Sequence, residues 1–226
     1  MRMNMLLAGA TAAALMVAAG TASAQTAQPN PGAGMVIYMQ MGGQPGEGPV
    51  LARQIGASAA AQALGVSKLN SQFSSWAPET MINQFKEAMA AKPDCIVIMG
   101  HPGSDAFHDL VKQAVDQGIV VTDGNAPLTP LQQEFGDKGF GYAGVDLYAG
   151  GALTAQKMLD TGKLHAGDEA MVYGVFSQAE RGQSEKGLAD TLEKAGLKVD
   201  RLEVSQEVNS DVTLAVPIQM APRRTS

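Results

Sequence analysis

Cysteine is nearly absent: Cys95 is the only one in 226 residues, so no disulfide can form within the chain and its core alone must hold it together. Basic charge is also scarce. Sixteen Lys and Arg stand against 22 Asp and Glu, a formal net charge of −6, and the basic stripe that nucleic-acid binding needs is missing. Beyond residue 24 no run is apolar enough for a membrane helix, which takes about 20 residues. No serine sits in a strand elbow between the expected glycines and no Cys–His pair stands out, so nucleophilic catalysis is unsupported. Gly42, Gly43, Gly46 and Gly48 lack the spacing of a phosphate-cradling loop. No acidic residue closes the second strand to hold a ribose, which argues against a dinucleotide site.

What is present begins with an export signal. Arg2 supplies a positive start, Met5 to Ala19 an apolar stretch, and Ala22-Ser23-Ala24 the small-x-small pattern cut by signal peptidase before Gln25. Taking 24 residues from 226 leaves 202 and removes only Arg2, so the net charge moves from −6 to −7. Residues 25–34 are polar with Pro and Gly, and are expected to be a disordered lead-in.

The clearest unit runs from Pro93 to Asn125. An apolar run, Cys95 to Met99, passes through Gly100-His101-Pro102-Gly103 into a helical pattern at Ala106, Phe107, Leu110, Val111, Ala114 and Val115. Gly118 ends it, and Ile119 to Thr122 leads to Asp123-Gly124-Asn125. This is strand, helix, parallel strand. Before it come a strand at Val36 to Met41, an Ala-rich helix at Val50 to Leu64, a strand within Val66 to Ser74, and a helix opened by Pro78. Ala126 to Gly139 has no clear period, and Gly141 to Val145 is a fifth strand. Such alternation specifies a parallel sheet with helices on both faces, over residues 35–146. A second series follows over residues 147–220: helix at Ala149 to Leu159, strand at Ala170 to Phe176, helix at Ser184 to Ala195, strand at Leu197 to Ser205, and a last helix starting near Asp211. Two strands make a poor sheet, so this second lobe looks incomplete. Residues 221–226 read as an atypical tail.

The ordered set of Lys92-Pro93-Asp94, Gly118 to Thr122, Gly141 to Asp146, Tyr148, Gly150-Gly151, Ala179 to Gly182 and Leu192 to Gly196, behind an export signal, resembles the periplasmic sugar-binding proteins of ABC importers. These are the ribose-binding-protein-like, type I periplasmic binding proteins, and the resemblance covers roughly Met35 to Met220. It implies an α/β fold of two Rossmann-like parallel-sheet lobes with the ligand in the cleft between them, a periplasmic location, and a chain ending before its return crossing. It further implies a monomer that captures a monosaccharide or similar small polyol for an ABC transporter permease, with no cofactor and no nucleic acid. A chemoreceptor is a further partner of this class.

A sugar site needs Asp, Asn, Gln and Arg side chains converging from loops, with an aromatic face against the ring. By the resemblance, Arg181 matches an arginine that donates to sugar oxygens, Asn125 a position at the end of strand four, and Asp146 an aspartate at the crossover that also suits a helix cap. His101, Trp76 and Gln44 follow strands three, two and one at the same sheet edge. The family's aromatic pair after strand one is replaced by a Gly-rich loop, which leaves Trp76, Tyr148 and Phe176 as stacking candidates. A metal site of His101, Asp105 and His108 is an alternative, though Ser104 and Asp105 more simply begin a helix. Three other functional readings stand beside the transport one: an exported α/β enzyme, a ligand-sensing module for a chemoreceptor or sensor kinase, and a non-functional truncated fragment.

Overall fold

The computed structural model describes residues 30–205, 207–208 and 212–214. The export signal, residues 25–29 of the lead-in, the start of the last helix at Asp211 and the tail at 221–226 lie outside the described residues. Val212–Leu214 is a 3-10 turn. Residues 30–34, expected as part of a disordered lead-in, instead turn against the end of the first helix, where Gly32 N donates to Leu64 O at 2.8 Å and Gly34 N to Ser67 Oγ at 2.7 Å.

The first lobe follows the apolar runs. Strands β1 (Val36–Gly42), β2 (Lys68–Phe73), β3 (Cys95–Ile98), β4 (Val120–Gly124) and β5 (Tyr142–Ala143) pair in parallel in the order β2-β1-β3-β4-β5. Between them run helices α1 (Gly48–Leu64), α2 (Pro78–Ala90), α3 (Ser104–Asp116) and α4 (Thr129–Phe135). Pro sits at the first turn of α1, α2 and α4, where its missing N–H costs nothing.

Because side chains alternate across a strand, register fixes which residues share a face. Ile96, Ile98 and Val121 face Met81, Phe85 and Ala88 of α2, Phe107, Val111 and Ala114 of α3, and Leu131 and Phe135 of α4, forming one continuous core. Met39, Val97 and Thr122, aligned through the register, lie on the opposite face. Among the described residues that face has only α1, which buries Val50 and leaves Leu51, Ile55 and Leu64 exposed. The expected cover on both faces is thus uneven: three helices on one side, one on the other.

Buried Gln40 ties the layers together. Its Nε2 donates to Met81 O at 2.7 Å and its Oε1 accepts from Met99 N at 3.2 Å. That holds the ends of β1 and β3 and the start of α2 in one place, next to the loops that carry the site.

The chain leaves the first sheet at α5 (Leu147–Leu159) and builds a separate parallel pair, β6 (Glu169–Gly174) and β7 (Lys198–Glu203), with α6 (Gln183–Lys194). Helices α5 and α6 touch through glycine. A Cβ on Gly151 would lie 1.9 Å from Ser184 O, and one on Gly187 2.1 Å from Tyr148 O. Ala155, Val172, Ala189, Leu192 and Leu197 form this lobe's own core.

Candidate functional site

In a sheet of this strand order the crevice opens at the carboxyl ends of β1 and β3, where the direction of winding reverses. Gly42 ends β1 with Gly43 just past it, and Gly100-His101 follow β3. Above them the second lobe supplies the loop after β6, which carries Glu180 and Arg181. Between the two lobes lies a cavity of about 240 Å³ lined by Pro49, Arg53, Trp76, His101, Asn125, Val175 and Arg181. A larger hollow of about 360 Å³ lies against the α1 face of the first sheet and shares Arg53 and Asn125 with it. Its lining is chiefly apolar, with Met39, Val97, Ile98, Met99, Val145 and Leu147. The smaller cavity is the one that gathers polar side chains from both lobes.

Trp76 is placed by strain and by glycine. Ser75 and Trp76 have φ of 52° and 60°, a left-handed conformation that costs a residue with a large side chain about 1–3 kcal/mol. The indole packs onto the backbone after β1, where a Cβ on Gly42 would come within 2.4 Å of its Cζ3 and one on Gly43 within 2.4 Å of its Nε1. The Gly-rich loop is therefore spaced for an indole rather than for phosphate. Trp76 Nε1 donates to Glu47 Oε2 at 2.8 Å. Its ring stacks on His101, centroids 5.4 Å apart at 19°, and the Arg53 guanidinium lies 5.9 Å from the ring centre.

A relay of hydrogen bonds orients the polar groups. Arg53 Nη1 donates to Met41 O, Arg53 Nη2 to Asn125 Oδ1 at 3.3 Å, and Asn125 Nδ2 to His101 Nε2 at 2.5 Å. Asn125 stands just past β4 with φ of 69°, a conformation that asparagine tolerates better than most residues. Burial, reinforced by the charges of Arg181 and Arg53, lowers the His101 pKa from 6.5 to about 3. The imidazole is neutral at physiological pH. With Nε2 accepting from Asn125, its proton resides on Nδ1.

The lobes also touch directly. Glu180 Oε1 accepts from Ser104 Oγ at 2.9 Å and from Ser104 N at 3.3 Å, at the first turn of α3. An anionic group there is favoured by the helix dipole. Next to it Arg181 Nη1 donates to Glu185 Oε1 at 3.3 Å, with its side chain 31% exposed beside the cavity.

Of the six residues singled out in the sequence, Arg181, Asn125, His101 and Trp76 come together at this cavity. Gln44 and Asp146 are not among its lining residues. Gln44 is exposed and its side chain donates to Ser75 Oγ, while its backbone N donates to Glu47 Oε1 at 2.8 Å. Asp146 caps α5, accepting from Ala149 N at 2.9 Å. Tyr148 donates to Asp190 Oδ2 at 2.9 Å, and Phe176 lies 5.7 Å from the Arg201 guanidinium, so both serve the second lobe's own packing. His108 contacts Asp109 and Glu134, each at 3.0 Å. Among the described residues no three of His, Cys, Asp and Glu cluster as metal ligands would. Arg53 was missed. The signal for it was that it is the only charged residue in the seventeen of α1.

Comparison with known proteins agrees with this architecture. Solved structures of similar fold include a glucose-galactose binding protein, GanP, from Geobacillus stearothermophilus (22% identity, TM-score 0.65, 83% of this chain and 65% of that one). Another is an ABC transporter periplasmic solute binding protein from Actinobacillus succinogenes with bound D-allose (20% identity, TM-score 0.63, 83% and 65%). A third, from Agrobacterium vitis, is a solute binding protein bound with α-D-tagatopyranose (22% identity, TM-score 0.63, 82% and 63%). The chain spans less than two thirds of the length of each. No curated protein matches it. The family model described as "Periplasmic binding protein domain" matches residues 52–218, close to three quarters of the sequence and both lobes, and on that match the chain belongs to the periplasmic binding protein domain family.

Proposed function

We propose that this protein captures a small hydroxylated solute of monosaccharide size between its two lobes and delivers it to the permease of an ABC importer. The observation that carries the reading is the convergence of Arg53, Trp76, His101 and Asn125 from the first lobe and Arg181 from the second on one cavity. A stacked aromatic pair suits the apolar face of a sugar ring, and guanidinium and amide groups suit its oxygens. The volume, about 240 Å³, is below the roughly 300–1,000 Å³ of most drug-sized pockets and favours a compact ligand. The contact between Glu180 and Ser104 supports closure as the event a permease reads, since a ligand that bridges the lobes biases the closed state. Sugar-bound relatives of the same fold point the same way.

Further parts of the reading are export to the periplasm with cleavage after Ala24, division of the chain near Asp146, and capture without chemical change. Isothermal titration of the exported protein with aldoses, ketoses and their acid derivatives tests the binding claim. Saturable one-to-one binding of at least one is expected, and absence of heat with every compound would overturn it. Mass spectrometry of the secreted form should find Gln25 at its start.

A further inference from the structure

We propose that the solute carries an anionic group, such as the carboxylate of an aldonic or uronic acid, held by Arg53 with Arg181 opposite. The inference rests on the capture reading above and specifies its ligand. Two guanidinium groups border the cavity and no carboxylate lines it. Arg181 shares its charge with Glu185. Arg53 has no carboxylate within salt-bridge distance among the described residues, and its partners are a carbonyl, an amide oxygen and the indole face. Two of its five N–H groups are engaged. Of the nearby carboxylates, Glu47 accepts from Trp76 Nε1 and Gln44 N, Glu180 from Ser104 and Glu185 from Arg181, while Asp123, on the adjoining hollow, is pushed by burial up to about 8 and carries no charge at neutral pH.

The balance of donors and acceptors supports the same conclusion. A neutral sugar brings hydroxyl groups that must each donate as well as accept. The two obvious side-chain acceptors at the cavity are already used, Asn125 Oδ1 by Arg53 and His101 Nε2 by Asn125. What remains open is rich in donors. A carboxylate only accepts, pairs with the guanidinium fork through two parallel bonds, and neutralises a cation that burial otherwise penalises. Desolvation lowers the Arg53 pKa, in keeping with a half-buried cation lacking a counter-ion. His101, neutral and stacked on Trp76, leaves the arginines as the charge the ligand meets.

The test is a calorimetric comparison, on the intact protein, of neutral parents (D-glucose, D-galactose, D-xylose) with their acids (D-gluconate, D-galacturonate, D-xylonate) and 6-phosphates of the two hexoses. The acids should bind about tenfold or more tightly than their parents, the range expected of a hydrogen bond to a charged group. Arg53→Gln should cut the acid-over-parent preference by about tenfold or more, read as the ratio of the two affinities in the same variant, and Arg53→Lys should retain part of it. A preference confined to the 6-phosphates upholds the anionic group and reassigns it to phosphate. Neutral sugars binding as tightly as their acids in the unmodified protein would overturn the inference and leave the capture reading standing. Binding of none of these compounds would overturn the inference, and silence from the ketoses and remaining aldoses as well would overturn the capture reading.

Discussion

Asp123 stands at the carboxyl end of β4, fully buried, with Oδ2 accepting from Leu128 N at 2.9 Å and Oδ1 without a hydrogen-bond partner. Burial, together with the charge of Glu180, pushes its pKa from 3.8 up to about 8. Between these values the folded protein holds a proton that the unfolded chain has released. Stability therefore falls as pH rises from about 4 to 8, at up to about 1.4 kcal/mol per pH unit, or about 6 kcal/mol if the site does not relax. His101 acts with the opposite sign, because its folded pKa of about 3 lies below 6.5 and the unfolded chain takes up the proton first. The two effects cancel between about 4 and 6.5, leaving Asp123 to act alone from there to 8. Asp123→Asn keeps an oxygen for Leu128 N and removes the titration. Urea unfolding from pH 5 to 9 should show the variant gaining on the unmodified protein as pH rises, by about 2 kcal/mol between 6.5 and 8. Parallel profiles over that range would refute the burial argument.

Gly43→Ala places a Cβ 2.1 Å from Glu47 Oε2 and 2.4 Å from Trp76 Nε1. It should break the indole hydrogen bond, shift the Trp76 emission maximum and weaken ligand binding with little change in far-UV circular dichroism. Gly187→Ala forces α6 away from the backbone of α5 and should destabilise the protein by about 1–3 kcal/mol, read as a lower midpoint in urea. Asp146→Ala removes the α5 cap and should cost about 1 kcal/mol of stability while leaving ligand affinity unchanged. A large loss of affinity instead would give Asp146 a ligand role.

The alternation of strands and helices was legible in the first lobe because turn residues, chiefly Gly, Pro, Ser and Asn, bound its runs, and those boundaries set the sheet edge that carries Trp76, His101 and Asn125. Helix α4 was not, since its seven residues hold fewer than two turns of periodicity. Gln44 and Asp146 stand at strand ends like the others, but their side chains satisfy local backbone and turn groups. Pattern reading does not separate those uses. Arg53 escaped for the opposite reason. It lies on a helix, and only the packing of α1 against the far face of the sheet brings its guanidinium to the loops.

Trp76 is the only tryptophan in the chain and one wall of the cavity, so its emission reports on the site directly. Titrating the protein with the tightest solute found by calorimetry should change that emission saturably, and Arg181→Met, on the other lobe, should weaken the apparent affinity by about tenfold or more. A flat response, or an identical midpoint in the variant, would contradict a site shared by the two lobes.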